Sequence, residues 1–300
     1  MVLTWNNFDD TNECIASLVR QTYAKHQILV VDNGSSDGSP ARLRDKWGDR
    51  LTFVESGRNL GCGGGYALGI ERALAAGADY VALIDNDIVS EPELLAKLLA
   101  PFRGDPSAGL VTSIMTYEDG QTVWFAQGRY HRLLGLTRHL RMGQPLEAVA
   151  DLRGRVYETD YAPSCAVMMS RAALQGVGLP DGRLFFGHDD VDWCLRAREA
   201  GYRCLVVGEP LVHHKISTTG GARGSLVFTD FSAYHHAKGS LIMATRHAPG
   251  LRLAPYLFGQ LCIRFPYYSL AMLRAGRLTG PLSYLRGLAA GLPYLARTRN

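Results

Sequence analysis

Two acidic residues follow an apolar run in the segment 80–87, which reads YVALIDND. Such a short apolar run predicts a strand that is buried on both faces. Because side chains alternate along a strand, Asp85 and Asp87 would point the same way if the extended geometry continued past Ile84. Neighbouring carboxylates repel each other, and a divalent cation removes that cost. The segment therefore favours a metal site over two solvated loop residues.

A second acidic group lies in the segment 187–193, which reads GHDDVDW and opens a predicted helix over 189–200. The helix dipole favours acids in the first turn, which accounts for one or two of them. Three acids and a histidine exceed what capping needs, and Phe185-Phe186 could line an apolar pocket beside them. The pair His213-His214 follows another apolar run, and two histidines beside an acidic site favour a function over a purely structural role.

Two glycine-containing loops follow other predicted strands. The segment 32–39, DNGSSDGS, is rich in residues that form local backbone hydrogen bonds, so a turn can place Asp32. The segment 59–66, NLGCGGGY, precedes a predicted helix, where glycines allow close approach of a ligand and the helix terminus favours anions. It is not a dinucleotide fingerprint, because Tyr66 stands where the last glycine is required.

The elements that must position these residues alternate between strand and helix. Strands are predicted at 1–4, 27–31, 51–55 and 80–84, and helices at 10–21 (capped by Asp10 or Thr11), 40–47 and 66–76. Ser90 and Glu93 have the spacing of a capping box for the next helix. The alternation predicts an α/β fold with a mostly parallel, Rossmann-like sheet flanked by helices. Ligands of such sheets bind beyond the carboxyl ends of the strands. Further strands are predicted at 123–128, 156–160, 165–170 and 202–207.

Charge is divided unevenly along the 300 residues. Residues 231–300 carry nine basic residues and no acidic one, whereas residues 1–230 carry 23 basic and 28 acidic residues. An acidic body with a basic tail suggests a body held against an anionic surface. The apolar, aromatic and arginine-containing segment 251–278 is typical of a helix in a membrane interface, with packing on the body or in a dimer as the alternative.

Cysteine spacing and the first residues exclude several classes of protein. The six cysteines form no Cys-x-x-Cys pair, so no zinc knuckle or thioredoxin-like site is indicated, and reduced thiols of a cytosolic protein are expected. Polar residues within 5–10 interrupt any signal peptide, and no stretch reaches the roughly 18 apolar residues of a spanning helix. We therefore expect a cytoplasmic protein, peripheral at the inner face of the cell membrane, without a nucleic-acid partner.

Five motifs in one order carry a resemblance to a known family: 4–7 (TWNN), 30–39 (VVDNGSSDGS), 59–64 (NLGCGG), 85–87 (DND) and 189–196 (DDVDWCLR). With these motifs the chain resembles the family 2 glycosyltransferases of the GT-A fold, and most of all the rhamnosyltransferase-type branch, over about residues 4–240. It departs at its start, where relatives usually have several more apolar residues. Either the first strand is short or the natural start lies upstream. His188 also stands where an aromatic or apolar residue is more usual.

The resemblance implies a role for each group of residues. It implies nucleotide-sugar binding for Thr4, Asn6, Asp32, Asn59, Gly61, Gly64, Asp85 and Asn86. It implies Mn²⁺ or Mg²⁺ as cofactor, held by Asp87, His214 and Asp85, with His213 as the fallback histidine. Asp190 is implied as the general base and Asp189 as its neighbour that contacts the acceptor or tunes the base, with His188 and Trp193 as acceptor contacts. Asp192 is expected to brace the helix, and Lys215 or Arg223 to lie on the surface or to add charge at the diphosphate.

The resemblance also implies the organisation of the chain. Residues 1–230 would form the catalytic domain, with the nucleotide-sugar half in 1–100 and the acceptor half in 101–230, followed by a helical, basic extension over 231–300. The implied activity is inverting transfer of a sugar, from dTDP-rhamnose or a UDP-sugar, to a hydroxyl of a glycan or lipid-linked saccharide in cell-surface polysaccharide synthesis.

Two other function classes remain as alternatives. A nucleotidyltransferase acting on sugar phosphates would use acids and metal on a similar sheet, but it usually needs a glycine-rich, basic loop after the first strand, where this chain has WNNFD. A non-catalytic, membrane-associated sugar-binding protein is disfavoured by the intact set of acids.

Overall fold

The computed structural model describes residues 1–216 and 229–297, in which strands and helices alternate from the beginning. The strands are β1 (Val2–Thr4), β2 (Ile28–Asp32), β3 (Leu51–Glu55), β4 (Tyr80–Asp85), β5 (Ile88–Ser90), β6 (Ala108–Tyr117), β7 (Val123–Phe125), β8 (Gln127–His131), β9 (Leu136–Leu140), β10 (Val156–Glu158), β11 (Ala166–Ser170) and β12 (Arg203–His214). The α-helices are α1 (Phe8–Val19), α2 (Ser39–Trp47), α3 (Gly61–Ala75), α4 (Leu94–Gly104), α5 (Arg171–Val177), α6 (Asp189–Glu199), α7 (Asp230–His247), α8 (Leu253–Phe258), α9 (Phe265–Arg274) and α10 (Gly280–Arg297). A π-helical turn, Gly259–Arg264, joins α8 to α9.

One large sheet carries most of these strands, in the order β10-β12-β6-β11-β4-β1-β2-β3. The half formed by β4, β1, β2 and β3 is parallel, as predicted. In the other half β12 and β6 are parallel, but β11 runs antiparallel to both β4 and β6. The short strands β5 and β7 extend the sheet through pairs with β12 and β6. The predicted α/β fold with flanking helices is confirmed.

The first four predicted strands are confirmed to within one residue at each end. On β2, Val30 and Val31 point to opposite faces of the sheet and are both fully enclosed, because helices cover the sheet there. The single strand predicted at 123–128 is instead two strands, β7 and β8. The strand predicted at 202–207 continues to His214, through irregular register between Val207 and Val212.

The glycine loop differs from its prediction, because its glycines are the first turns of α3 rather than a loop before a helix. They allow close packing: a Cβ on Gly65 would lie 2.5 Å from Leu3 Cδ1, and one on Gly63 would lie 2.5 Å from the Asp181 carbonyl oxygen. Among the glycines at positions 61, 63, 64 and 65, only Gly61 has a positive φ, 74°. The glycines therefore bring the helix against β1 and the chain before α6.

Two predicted helix caps are wrong. The cap of α1 is Asn7, whose Oδ1 accepts a hydrogen bond from the Asp10 amide, so neither Asp10 nor Thr11 is the cap. Ser90 ends β5 and does not cap α4; its buried Oγ bonds to Ser17 Oγ and accepts from Gln21 Nε2. The sequence has the spacing of a capping box, but the Ser90 hydroxyl takes part in this buried hydrogen-bond network and does not cap α4.

The C-terminal extension packs on the body and on itself. Helix α7 lies along α10, and Ile242, Met243 and Ala244 of α7 join the main hydrophobic core. Its first turn is closed by a capping box between Thr229 and Ser232. Among the described residues, no helix is long and apolar enough to cross a membrane.

A cavity of about 930 Å³ lies at the amino-terminal ends of β2 and β4, lined by Met1, Ile28 and Tyr80 among others. The Met1 amino group donates to the Ala82 carbonyl oxygen, and burial lowers its pKa to about 6. The cavity contains none of the predicted acids. Because none of the predicted site residues lines it, this cavity is not the candidate reaction site.

Candidate active site

The first acidic pair lies where β4 ends. The strand stops at Asp85, and a turn at residues 86–87 leads into β5, so the extended geometry assumed from the sequence does not continue. The hydroxyl of Tyr66, buried in α3, donates to the Asp85 carboxylate. The side-chain nitrogen Nδ2 of Asn86 donates to Thr11 Oγ1 at 3.0 Å and lies 3.4 Å from Thr4 Oγ1. Each residue of this turn is therefore held by a different element.

Asp87 and His214 meet although 127 positions separate them in sequence. Strand β5 pairs antiparallel with the end of β12, which places His214 opposite Ile88. The His214 Nε2 and Asp87 Oδ1 atoms are 3.3 Å apart, and both residues are only 8% exposed. The Trp124 ring packs edge-on against the imidazole, with 4.3 Å between ring centroids. The fold thus brings together two of the three predicted metal ligands.

His213 faces elsewhere, which separates the two candidate histidines. Its Nδ1 lies 2.8 Å from Thr116 Oγ1 and its Nε2 lies 2.8 Å from Glu91 Oε1. Neighbouring residues on a strand point to opposite faces. His214 is therefore the histidine at the Asp85-Asn86-Asp87 turn. His213, the adjacent residue, points to the opposite face of the strand.

The electrostatics of this corner follow from burial. Burial and the charge of Asp87 raise the pKa of Asp85 to about 6, against a smaller lowering by the Tyr66 hydrogen bond. Burial lowers the pKa of His214, but the charge of Asp87 and their hydrogen bond more than offset this, and the net shift is upward. A cation placed among these groups would relieve the repulsion between the two carboxylates.

The residues present fit part of a divalent-cation site. No group of three or more His, Cys, Asp or Glu side chains within 1–216 and 229–297 is arranged to hold a metal ion. Asp87 and His214 nevertheless stand close to the separation of about 3 Å expected for adjacent ligands of an octahedral ion. Mg²⁺ usually keeps waters and substrate phosphates as its other ligands. An imidazole together with oxygen ligands also suits Mn²⁺.

The second acidic pair lies in the first turn of α6. His188 precedes it in a left-handed conformation with φ 69°. Ser164 Oγ donates to Asp189 Oδ2 at 3.3 Å, and the Val191 amide donates to Asp190 Oδ1 at 2.7 Å. Burial raises the pKa of Asp190 to about 6, and burial with the charge of Asp190 raises the pKa of Asp189 well above its usual range.

The two acidic pairs face a common region. Asp189 and Asp190 line one small cavity together with Tyr66, whose hydroxyl binds Asp85. The charge of Asp85 also contributes to the raised pKa of both Asp189 and Asp190. Carboxylates more than 100 residues apart in the sequence thus meet at the carboxyl edge of the sheet, which is the arrangement that the predicted chemistry requires.

The predicted nucleotide residues form a neighbouring group. Asp32 is 6% exposed, and its Oδ1 accepts from the Ser35 amide, so the turn does place the acid. Asn6, with φ 50°, accepts from the Ser36 amide. Asn59 Oδ1 accepts from the Gly61 amide at 2.8 Å and fixes the start of α3. Gly64 lies one residue before the tightly packed Gly65 in the same helix.

Two residues of this region were missed at the level of sequence. Asn33 ties the two loops together: its Nδ2 donates to Asn59 Oδ1 and the Gly61 carbonyl oxygen, and its Oδ1 accepts from the Leu60 amide. Tyr66 was noted only as a departure from a glycine motif, yet it holds Asp85. Both follow motifs in the sequence, but only the fold reveals their partners.

Some predicted roles need correction. Trp193 was expected to contact the acceptor, but it is 1% exposed and its indole N–H donates to the Gly178 carbonyl oxygen, so it is a core residue. Asp192 binds Arg196, Arg246 and His247 and so fastens α6 to α7, rather than bracing only its own helix. Lys215 pairs with Asp10 and Glu13. Arg223 lies outside the described residues.

Comparison with known proteins agrees with this geometry. The family model for "Glycosyl transferase family 2" matches residues 1–177. The chain is 30% identical over 208 residues to the galactofuranosyltransferase GlfT1 of Mycobacterium tuberculosis, a match covering 67% of this chain and 64% of that relative. It is 27% identical over 286 residues to an N-acetylglucosaminyl-diphospho-decaprenol L-rhamnosyltransferase of the same species, covering 88% and 90% of the two chains.

A solved structure supports the same fold. The mannosyltransferase PcManGT from Pyrobaculum calidifontis, solved in complex with GDP-Man and Mn²⁺, superposes with a TM-score of 0.57 at 19% identity, covering 99% of this chain and 81% of that one. This likeness confirms the predicted GT-A fold, here with a helical C-terminal region. The match of the family model to more than half of its residues shows that this chain belongs to glycosyl transferase family 2.

Proposed function

We propose that this protein transfers a sugar from a nucleotide-sugar to an acceptor hydroxyl, with inversion at the anomeric carbon and with a divalent cation bound by Asp87 and His214. The observation that carries the proposal is the convergence of two acidic pairs, Asp85 with Asp87 and Asp189 with Asp190, on one edge of the sheet, with Asp87 and Asp189 buried and their neighbours partly buried. The first pair has the His214 imidazole beside it, whereas Asp189 and Asp190 accept hydrogen bonds from a serine hydroxyl and a backbone amide.

Asp190 acts as the general base in this mechanism. Its carboxylate accepts the proton of the acceptor hydroxyl while the acceptor oxygen forms a bond to the anomeric carbon and the bond to the nucleoside diphosphate breaks. A base works best when its pKa lies near the working pH, and burial brings the pKa of Asp190 to about 6. Asp189 lies beside it and contributes to the acceptor side of the site.

The donor lies over the other group of residues. Asp32 and Asn6 bind the nucleoside, the Asn59–Gly61 backbone and Gly64 approach the donor, and Asp85 contacts the ribose or a metal-bound water. Thr4 acts through its hydrogen bonds to the Asn86 turn. The cation, Mn²⁺ or Mg²⁺, supplies charge that stabilises the departing diphosphate.

The names of the relatives narrow the substrates. They describe rhamnosyl and galactofuranosyl transferases, one of them acting on a decaprenol-linked sugar. We therefore infer a dTDP-rhamnose or UDP-sugar donor, and an acceptor that is a glycan or a lipid-linked saccharide of a cell-surface polysaccharide. His188 was predicted to contact the acceptor, but its ring is buried against the His236 carbonyl oxygen, so it serves the acceptor side only through its position before Asp189.

A peripheral position at the inner face of the cell membrane is part of the proposal. Along α8 to α10 many apolar side chains are exposed while the basic residues of the same region are not balanced by acids. Such a surface suits the headgroup region of an anionic membrane. The exposed apolar residues are Leu251, Phe258, Leu261, Ile263, Tyr267, Leu270, Leu273, Leu278, Leu282, Leu285 and Leu292.

A nucleotide-sugar panel tests the proposal directly. Purified protein is heated with each of several dTDP-, UDP- and GDP-sugars, with Mn²⁺, with Mg²⁺ or with EDTA. A ligand that binds the folded state raises the unfolding temperature. One sugar nucleotide should stabilise the protein only with a divalent cation, and its slow hydrolysis should release the nucleoside diphosphate. Release of pyrophosphate from a nucleoside triphosphate and a sugar phosphate would instead support a nucleotidyltransferase.

A further inference from the structure

Arg264 is an arginine of the C-terminal extension that points into the protein. It ends the π-helical turn Gly259–Arg264 and is 7% exposed, whereas Arg252, Arg274 and Arg286 lie on the surface. Burying a guanidinium is costly unless it finds hydrogen-bond partners. A basic tail selected only for solubility or surface charge has no need of such a side chain.

Arg264 contacts two neutral groups, the turn between β8 and β9 and the residue that precedes the acidic pair of α6. Its Nη2 donates to the Gly135 carbonyl oxygen at 3.1 Å, and its Nη1 lies 3.5 Å from His188 Nε2. Gln260, one turn earlier, donates to the Leu134 and Gly135 carbonyl oxygens. The π-helical turn therefore contacts two separate parts of the body: the turn between β8 and β9, and His188, which precedes Asp189.

His188 is held from several sides in a conformation that needs support. Its φ of 69° is unfavourable for a residue with a side chain and persists only where neighbouring contacts fix it. Its Nε2 donates to the His236 carbonyl oxygen at 3.1 Å, so the Arg264 Nη1 atom 3.5 Å away supports the ring by packing against it. A Cβ on Gly239 would lie 2.9 Å from the His188 Cδ2 atom. Burial, and then the nearby Arg264, lower the pKa of His188 well below its usual range, so the ring is neutral.

We propose that Arg264 is a positioning residue of this active site: it holds His188 and, through it, the first turn of α6 with the carboxylates of Asp189 and Asp190. The proposal rests on the function proposed above. Asp189 and Asp190 follow His188 directly, so the backbone angles of His188 set the direction in which both carboxylates face. The C-terminal extension is then a part of the catalytic machinery rather than only an attachment.

The test compares Arg264→Met and Arg264→Lys with Arg103→Met, a matched change at an exposed arginine in the last turn of α4. A displacement of about 1 Å at a reacting group can lower turnover about 100-fold. We expect kcat of Arg264→Met to fall about 10–100-fold with an unchanged donor KM. Arg264→Lys should recover part of this loss, and Arg103→Met should match the natural protein. An unchanged kcat in folded Arg264→Met would overturn the proposal.

A second measurement separates positioning from general damage to the fold. Amide hydrogen exchange in Arg264→Met should become faster at residues 187–191 and stay unchanged at 85–87. Combining it with His188→Asn, which tolerates positive φ, should give no further loss of kcat, because the two residues act as one unit. Equal acceleration at both segments, or additive losses, would contradict the proposal.

The two proposals fail in different ways. If the natural protein turns over no nucleotide-sugar in the panel, the proposed function fails. If exchange at 187–191 is the same in Arg264→Met and the natural protein, the role of Arg264 fails whatever the reaction.

Discussion

Each of the two acidic pairs of this protein has one buried and one partly buried carboxylate, yet their surroundings differ. Asp85 accepts a hydrogen bond from the Tyr66 hydroxyl, and Asp87 faces the His214 imidazole, whose pKa it raises. The negative charge of this pair therefore stabilises a positive charge placed beside it. Asp189 and Asp190 have a serine hydroxyl and a backbone amide as partners, and burial together with the charges of nearby carboxylates raises their pKa values. In the proposed mechanism the same residue type therefore holds a cation at one end of the site and takes a proton at the other.

Removing the proton acceptor should have the largest effect. Asp190→Asn should lower kcat/KM by about 10²–10⁴-fold, because the amide cannot accept the acceptor proton. Nucleotide-sugar binding, followed by thermal shift with Mn²⁺, should persist. Glu199→Gln, on the exposed side of the same helix, is the control and should retain full activity. Turnover of Asp190→Asn at the natural rate would remove Asp190 from the base role.

Removing a metal ligand should affect binding instead. His214→Ala should raise the Mn²⁺ concentration needed for half of the stabilisation by nucleoside diphosphate on the order of tenfold or more. The matched control is His213→Ala, since His213 contacts Thr116 and Glu91 and faces away from Asp87. If both variants shift the Mn²⁺ requirement equally, the assignment of the ligand is wrong.

The pH dependence should report the base. The pKa of Asp190 is raised to about 6, so its carboxyl is protonated, and inactive as a base, below that pH. At saturating metal, kcat/KM should rise about tenfold per pH unit below pH 6 and level off above it. Rates that stay flat between about pH 5 and 8 would show that this carboxyl does not limit the reaction.

Removing the hydroxyl that holds Asp85 should give the smallest effect. Tyr66→Phe leaves a buried carboxylate without that donor and should lower the free energy of unfolding by about 1–3 kcal/mol, measured by chemical denaturation. Tyr80→Phe, at a tyrosine that is 37% exposed, should change it by less than about 0.5 kcal/mol. If the two variants lost the same free energy of unfolding, the hydrogen bond from Tyr66 to Asp85 would not contribute to stability.

The sequence predicted the parallel half of the sheet well, because its strands are local apolar runs separated by helices with clear periodicity. It could not predict that β11 runs antiparallel between β4 and β6, because pairing partners are set by contacts distant in the chain. Helix ends were also missed: Ser90 has the pattern of a cap, but its hydroxyl enters a buried network with Ser17 and Gln21.

The acids of the proposed site were predictable because each lies at or beside the boundary of a recognisable element, the end of β4 or the start of α6. Their partners were not: Tyr66 and Arg264 lie outside the quoted motifs, Asn33 lies inside one without a predicted role, and each acts through a contact that only folding creates. The fate of Trp193 follows the same rule, since an aromatic residue next to acids in sequence turned out to be enclosed by the core. Spacing was enough to propose the reactive groups, whereas the residues that support them could be found only in the tertiary structure.

The length of β12 has a consequence for protein engineering. This strand pairs with β10, β6 and β5 and carries His214 at its last position. A hybrid protein could therefore keep the proposed donor side intact if it retained residues 1–214 of this chain. Its C-terminal extension, from residue 229 onward, would then come from a relative. Such a hybrid would have to exchange residues 188 and 264 together, because the loop before α6 and the inserted guanidinium are one fitted pair.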